Sequence, residues 1–183
     1  MLYTRKGDKG QTGTFGCDQR ISKSSAIAEA LGSLDEINSF LGLIKVNPKS
    51  GTFSITESTF ENIIQGVQEN LFIIQAELAG ADKHITPEKI IEIEGLVDSA
   101  EKALPPIKSF FISGGTELAT LCDIARTIAR RAERRVVAVS EENIVIVGEC
   151  SLSYLNRLSS LLYALARLSN HKSGINEPAP TYR

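Results

Sequence analysis

Apolar residues in this 183-residue chain fall into helical period five times, and each stripe must be buried against another. Ile27, Leu31, Leu34, Ile37, Leu41 and Ile44 form the first, which ends at the NPKSG turn of residues 47–51. The second starts near TESTFE, where Ser58 and Glu61 fit a capping box, and runs through Ile63, Val67, Leu71, Ile74 and Leu78. The third opens with Thr86 as N-cap and Pro87 at the first helical position, and stops at Leu104-Pro105-Pro106. The fourth follows SGGTE and carries Leu118, Leu121, Ala125, Ile128, Ala132, Val136 and Val139. The fifth, from about Leu152 to Leu168, is apolar on more than one side, which predicts a central position. Five such helices in a chain of this length predict one all-α domain, a five-helix bundle. The run NIVIV at 143–147 is the one strand-like piece and reads as connector.

Ahead of the bundle, residues 4–16 read TRKGDKGQTGTFG, with glycine at every third position. Such a segment suits neither a helix nor a strand interior. Its backbone N–H groups can converge on an anion, with lysine and threonine side chains adding donors, so a phosphate cradle is one reading. A loose N-terminal tail is the other. Neither GxxxxGK[ST] nor GxGxxG occurs, and four repeats without proline are not collagen. The expected organisation is an arm over 1–22, the bundle over 23–170 and a tail over 171–183.

A net charge of −2 argues against a chain that grips nucleic acid through its overall field, so any anion site must be local. Three scattered cysteines without a CxxC suggest thiols in a reducing compartment. The two histidines have no metal-ligand spacing, so no metal site on protein side chains is expected. No apolar leader or membrane span is apparent, and the expected location is the cytoplasm.

Three stretches inside the bundle could carry chemistry. ARTIARRAERRVV on the fourth helix holds five arginines and one acid, Glu133, between Arg126 and Arg135. At 3.6 residues per turn, Arg126, Arg130 and Glu133 share one flank of the apolar stripe, while Arg131 and Arg135 take the other. Like charges at i, i+4 repel, so either solvent screens them or an anion arrives from outside the helix. Asn156, among the leucines of YLNRLSSLLYAL, is either a buried structural amide or a group aimed into a pocket. Phe110 and Phe111, before the Gly114-Gly115 turn, are core residues unless a pocket makes one of them functional.

In order, YTRKGDKGQT, GSLDEINSFLG, FFISGGTELA, ARTIARRAERRVV and YLNRLS resemble the motifs of the ATP-dependent corrinoid adenosyltransferases of the propanediol-utilisation type. The resemblance covers roughly residues 3–168. It implies a five-helix bundle assembled as a homotrimer, with active sites between subunits. It implies transfer of the adenosyl group of ATP to cob(I)alamin, with release of triphosphate and formation of adenosylcobalamin. On this resemblance Thr4, Arg5, Gly7, Asp8, Gly10 and Thr12 contact ATP, with Lys23 or Arg20 adding charge. Arg130, Glu133 and Asn156 complete the nucleotide site. Asp35 and Arg126 pair across the subunit interface, and Phe110 presses beneath the corrin ring to displace its lower ligand. The C-terminal PTYR makes Tyr182 a cobalamin-site candidate. Mg2+ is implied with the triphosphate, held by phosphate oxygens and water. A cobalamin reductase or another flavoprotein electron donor is the partner the chemistry allows, with no nucleic acid or membrane. The sequence departs from the family pattern at Gly13, at Ser160 where an aspartate is usual, and in the segment 140–153, which lacks an Asn-Pro helix start and makes the corrin-pocket edge the expected point of divergence. Two other readings are a nucleotide- or cobalamin-binding carrier that no longer turns over, and a helical nucleic-acid binder.

Overall fold

The computed structural model describes residues 3, 5–14, 20–107, 109–143 and 145–182. Five helices dominate: α1 Ala26–Lys45, α2 Phe60–Leu78, α3 Pro87–Lys102, α4 Glu117–Glu141 and α5 Glu149–Lys172. Two short antiparallel ladders accompany them. Strands β1 (Gln11–Gly13) and β2 (Arg20–Ser22) pair in the arm, with Thr12 opposite Ile21. Strands β3 (Ser54–Ile55) and β4 (Ser58–Thr59) form a hairpin before α2.

The predicted stripes are the core. Ile27, Leu34, Ile37, Leu41 and Ile44 of α1 are buried, as are Ile63, Val67, Leu71, Ile74 and Leu78 of α2. On α4 the buried set includes Leu118, Ala125, Ile128, Ala132, Val136 and Val139. α5 is the central helix, packed against α4, α3 and α2, which is why apolar residues occupy more than one of its faces. Small residues on α4 (Ala125, Ala129, Ala132) leave room for the larger leucines of its neighbours.

The helix ends follow their capping chemistry, with two differences from expectation. Ser25 and Thr116 accept from Ala28 N and Ala119 N and start α1 and α4. α2, however, is capped by Thr59 and not Ser58. The hairpin strand β4 runs through Ser58 and Thr59 and α2 starts at Phe60, so Thr59 is the residue at the strand-to-helix junction, and its hydroxyl accepts from Asn62 N at 3.2 Å. Thr86 and Pro87 open α3 as expected, but Thr86 gives α3 no side-chain cap.

The second difference concerns α5, whose N-cap is Gly148 and which lacks a side-chain cap of its own. The carboxylate of Glu77 reaches across from the end of α2 instead. It accepts from Gly148 N at 2.9 Å and from the Ser151 hydroxyl. A carboxylate at a helix N-terminus is favoured by the unpaired N–H groups there. It is almost fully buried, and His84 Nδ1 lies 3.0 Å from the same carboxylate. Between α4 and α5 the described residues of 143–147 form no strand, as expected for a connector.

Candidate active site: two clefts on one flank of α4

α4 and α5 run antiparallel, so Glu133 faces Asn156 near one end of the pair while Arg126 faces Tyr163 further along. Asn156 Nδ2 donates to Glu133 Oε1 at 3.0 Å, and the Arg126 guanidinium carbon lies 5.9 Å from the Tyr163 ring centre. A cleft opens at each level. The first, of about 290 Å3, is lined by Arg130, Glu133, Arg134, Val137, Glu141 and Asn156, among others. The second, of about 520 Å3, is walled mainly by Phe110, Phe111, Ile112, Arg126, Tyr163 and Arg167. Arg126 and Arg130 stand four residues apart, so the nearest α4 residues of the two clefts are about 6 Å from one another along the helix axis.

The arginines of α4 separate by what surrounds them. Arg131 pairs with Glu36 and Arg135 with Glu29, both on α1. Neither solvent nor a ligand was needed to explain that flank: acids on the neighbouring helix supply the partners. Arg126 Nε lies 3.1 Å from Asp123 Oδ1, one turn back on its own helix. Arg134 donates to the Arg130 carbonyl at 3.0 Å. Arg130 is exposed and has no carboxylate partner among the described residues. Beside it, Glu133, Asn156, Arg157 and Glu94 form a continuous chain, with Arg157 Nη1 donating to Asn156 Oδ1 at 2.9 Å and Arg157 Nε to Glu94 Oε1 at 2.8 Å. That chain fixes the rim of the cleft and, among the described residues, does not engage the Arg130 guanidinium.

Asn156 is exposed and is not the buried structural amide that its leucine-rich surroundings allowed. Leu155 and Leu158 turn fully inward, whereas positions 156, 160 and 163 share a strip of α5 outside the core. Phe110 is likewise not core: it is 78% exposed at the mouth of the second cleft. Phe111 packs inward, with the Arg167 guanidinium carbon 4.3 Å from its ring centre.

The loop carrying these phenylalanines is held by α5. Asn170 Oδ1 accepts from Thr116 N at 2.9 Å and Nδ2 donates to Gly114 O at 2.8 Å. Gly115, at φ +102°, lies so close that an added Cβ would come within 2.4 Å of Asn170 Oδ1. Only glycine fits that position.

The described residues of the arm hydrogen-bond to one another and to the start of the bundle. Gly10 N donates to Gly7 O, Lys23 N to Gly10 O at 2.9 Å, and Arg20 donates to the carbonyls of Lys6 and Gln11. Arg20 is thus engaged in holding the arm's backbone. Lys23 is exposed and its amino group lies against Gly7. Arg5 and Asp8 are also exposed and Thr12 is half-buried. Thr4 lies outside the described residues.

Asp35 is exposed on α1 and makes no ion pair among the described residues. Tyr182 is exposed and lines neither cleft; Glu177, five residues earlier, lines the second. No described residue of 140–153 lines the second cleft; Gly148 and Ser151 of that segment border the Glu77 cap instead. Ser160 lines a smaller adjoining cleft of about 180 Å3 with Pro105, Pro106 and Tyr163. Sequence reasoning missed Asp123, Tyr163, Arg167, Asn170 and Glu177. An arginine among leucines was the signal that could have found Arg167, by the argument applied to Asn156. Among the described residues no three His, Cys, Asp or Glu side chains gather as metal ligands, and no helix is long and apolar enough to cross a membrane.

The family model for cobalamin adenosyltransferase matches residues 2–169. The chain belongs to the cobalamin adenosyltransferase family. A corrinoid adenosyltransferase of Bacillus subtilis is 42% identical, over 96% of this chain and 90% of that protein. The PduO corrinoid adenosyltransferase of Citrobacter freundii is 38% identical over 96% of this chain, which spans 51% of that longer protein. Among solved structures, a phenylalanine-to-histidine variant of the PduO-type ATP:corrinoid adenosyltransferase of Lactobacillus reuteri, complexed with cobalamin and ATP, superposes with a TM-score of 0.88. It is 29% identical and the match covers 99% of this chain and 97% of that one. This family member is a transferase, and its reaction is adenosyl transfer to cobalamin.

Proposed function

We propose that the Arg130 cleft receives the triphosphate of ATP and the Phe110 cleft the corrin ring, so that the ribose C5′ is presented to cobalt between them. The observation that carries this is the placement of an exposed guanidinium, with no carboxylate partner among the described residues, one helical turn from the nearest α4 residue of an apolar cleft on the same flank. Arginine's planar fork matches phosphate oxygens, and the Glu133–Asn156 chain keeps the rim beside it ordered.

The reaction needs no protein nucleophile. The cobalt(I) electron pair attacks C5′, the C5′–O bond breaks, and triphosphate leaves with that bond's electrons as the cobalt–carbon bond forms. What the chain supplies is positioning, exclusion of water and stabilisation of the leaving charge. Phe110, exposed at the mouth of its cleft, presses beneath the corrin and disfavours the lower axial ligand. Mg2+ would be held by triphosphate oxygens and water, with no cluster of protein ligands among the described residues, and would supply neutralisation of the leaving charge.

The arm folds on itself, with Asp8, Lys23 and the backbone around Gly7 and Gly10 presented outward, as suits a segment that closes over a nucleotide on the bundle of a neighbouring subunit. Arg5, Thr12 and Thr4 belong to the same proposed contact surface. A homotrimer is the assembly this reading calls for, with Asp35 meeting the neighbour's Arg126 in exchange for its Asp123 contact and Tyr182 closing on the cobalamin side. The enzyme is placed in the cytoplasm and draws its cobalt(I) from a reductase.

Incubation with ATP, Mg2+ and chemically reduced cobalamin should convert the corrin absorbance to that of adenosylcobalamin and release triphosphate stoichiometrically. Absence of both under strictly reducing conditions would overturn the reading.

A further inference from the structure

Arg167 is a charged side chain only 5% exposed, set in α5, the central and most extensively buried of the five described helices. Such a burial requires a partner. Its Nε donates to Glu177 Oε2 at 2.9 Å, its guanidinium stacks on the Phe111 ring, and its Nη1 is buried without a hydrogen-bond partner among the described residues. The charge therefore rests on one carboxylate and one aromatic face.

Both contacts lead back to the second cleft. Glu177 lies beyond the end of α5, in the C-terminal segment, and its other oxygen accepts from Asn170 Nδ2 at 3.0 Å. The next residue, Pro178, accepts from Ile112 N at 2.9 Å through its carbonyl. Asn170 in turn holds Gly114 and Thr116. The phenylalanine loop, α5 and the C-terminal segment thus form one closed circuit with Arg167 at its centre.

We propose that Arg167 is a positioning residue for corrin binding: anchored by Glu177, it seats Phe111 and docks the C-terminal segment, so that the neighbouring Phe110 is held at the mouth of the cleft. This rests on the assignment of that cleft to the corrin. Undocking the segment would carry Glu177 away and leave a buried guanidinium uncompensated, so the Arg167–Glu177 contact holds the segment down. Removing Arg167 frees the Phe111 ring and with it the backbone of Phe110. The two clefts share no lining residue, so the effect falls on the corrin and spares ATP.

The test uses the full-length protein with Arg167→Met, Glu177→Ala and Glu177→Gln. ATP affinity is measured by calorimetry, kcat and KM with cob(I)alamin by product absorbance, and lower-ligand loss by the visible spectrum of cob(II)alamin with ATP bound. Arg167→Met should cut the lower-ligand-loss signal about ten-fold or more, with ATP affinity kept within about two-fold, the size of effect a displaced positioning group produces. Glu177→Ala should act in the same direction and Glu177→Gln less, since an amide oxygen still accepts the Nε–H. The Arg167→Met/Glu177→Ala double variant should be no worse than its worse parent, because both cut one circuit. A wild-type corrin spectrum in Arg167→Met, or a loss of ATP affinity that keeps pace with the corrin defect, overturns the proposal. Should Arg167→Met fail to fold by circular dichroism, Glu177→Ala decides by the same comparison. If the wild-type chain makes no adenosylcobalamin, the cleft assignment and this proposal fall together; if it does and the variants match it, only this proposal falls.

Discussion

Arg130 and its neighbours on α4 share a residue type and differ in surroundings, and that difference sets what each substitution should do. Arg131 and Arg135 meet glutamates of α1, whereas Arg130 has no described acid beside it. Arg130→Ala should leave the melting temperature almost unchanged, since an exposed side chain without an acid partner contributes little to stability. It should weaken ATP binding about 10- to 100-fold, the loss of one or two hydrogen bonds to a charged group. Calorimetric titration with ATP checks both the direction and the size, and unchanged affinity would remove Arg130 from the nucleotide site. Phe110→Ala tests the other cleft. Turnover from cob(II)alamin with a reductase should drop much more than turnover from pre-reduced cob(I)alamin, because only the former needs the lower ligand displaced. Equal losses in the two assays would strip Phe110 of that role.

At the scale of the element, the start of α5 depends on a side chain from α2. A Cβ at Gly148 would lie 2.9 Å from Glu77 Oε1, so Gly148→Ala should push the carboxylate off the cap and cost about 1–3 kcal/mol, read as a lowered denaturation midpoint. His84 gives the same cap a pH dependence. Its hydrogen bond to Glu77 is the main influence raising its pKa above the ordinary 6.5, with Asp82 adding to it. The folded chain then holds a proton that the unfolded chain releases. The stabilisation is fully present below about pH 6.5 and disappears as pH rises through the raised folded value. Thermal melts across pH 6 to 9 should decline over that window in the wild type and lie flatter in His84→Gln. An identical slope in the variant would assign the dependence to other groups. Two further groups bear on chemistry at this scale: burial pushes the Cys122 thiol and the Tyr154 phenol each up to about 12, which leaves both neutral and unreactive near neutral pH.

For the whole molecule, the sharpest consequence of the proposed trimer is that the arm and Arg130 of one site belong to different subunits. Two variants, Asp8→Ala/Lys23→Ala in the arm and Arg130→Ala on α4, assayed at limiting ATP where neither alone turns over, should therefore complement when refolded or co-expressed together. In an equal random mixture about a quarter of the sites combine an intact arm with an intact Arg130, so about a quarter of wild-type activity should return. If each site were built within one subunit, no activity would return. Size-exclusion chromatography with light scattering measures the assembly directly.

The bundle was readable because helical period and capping are local: an apolar stripe at Ile27 to Ile44 or Leu118 to Val139 can only be buried one way. The two flanks of α4 followed from 3.6 residues per turn, and the family from five motifs in order. Tertiary structure alone decided the rest, because those choices depend on groups far apart in sequence meeting in space. Only the fold shows that acids of α1 neutralise Arg131 and Arg135, that Glu77 caps a helix 71 residues away, and that Glu177 returns to compensate Arg167. Short-range sterics set the elements; long-range desolvation of charged and polar groups selected their partners.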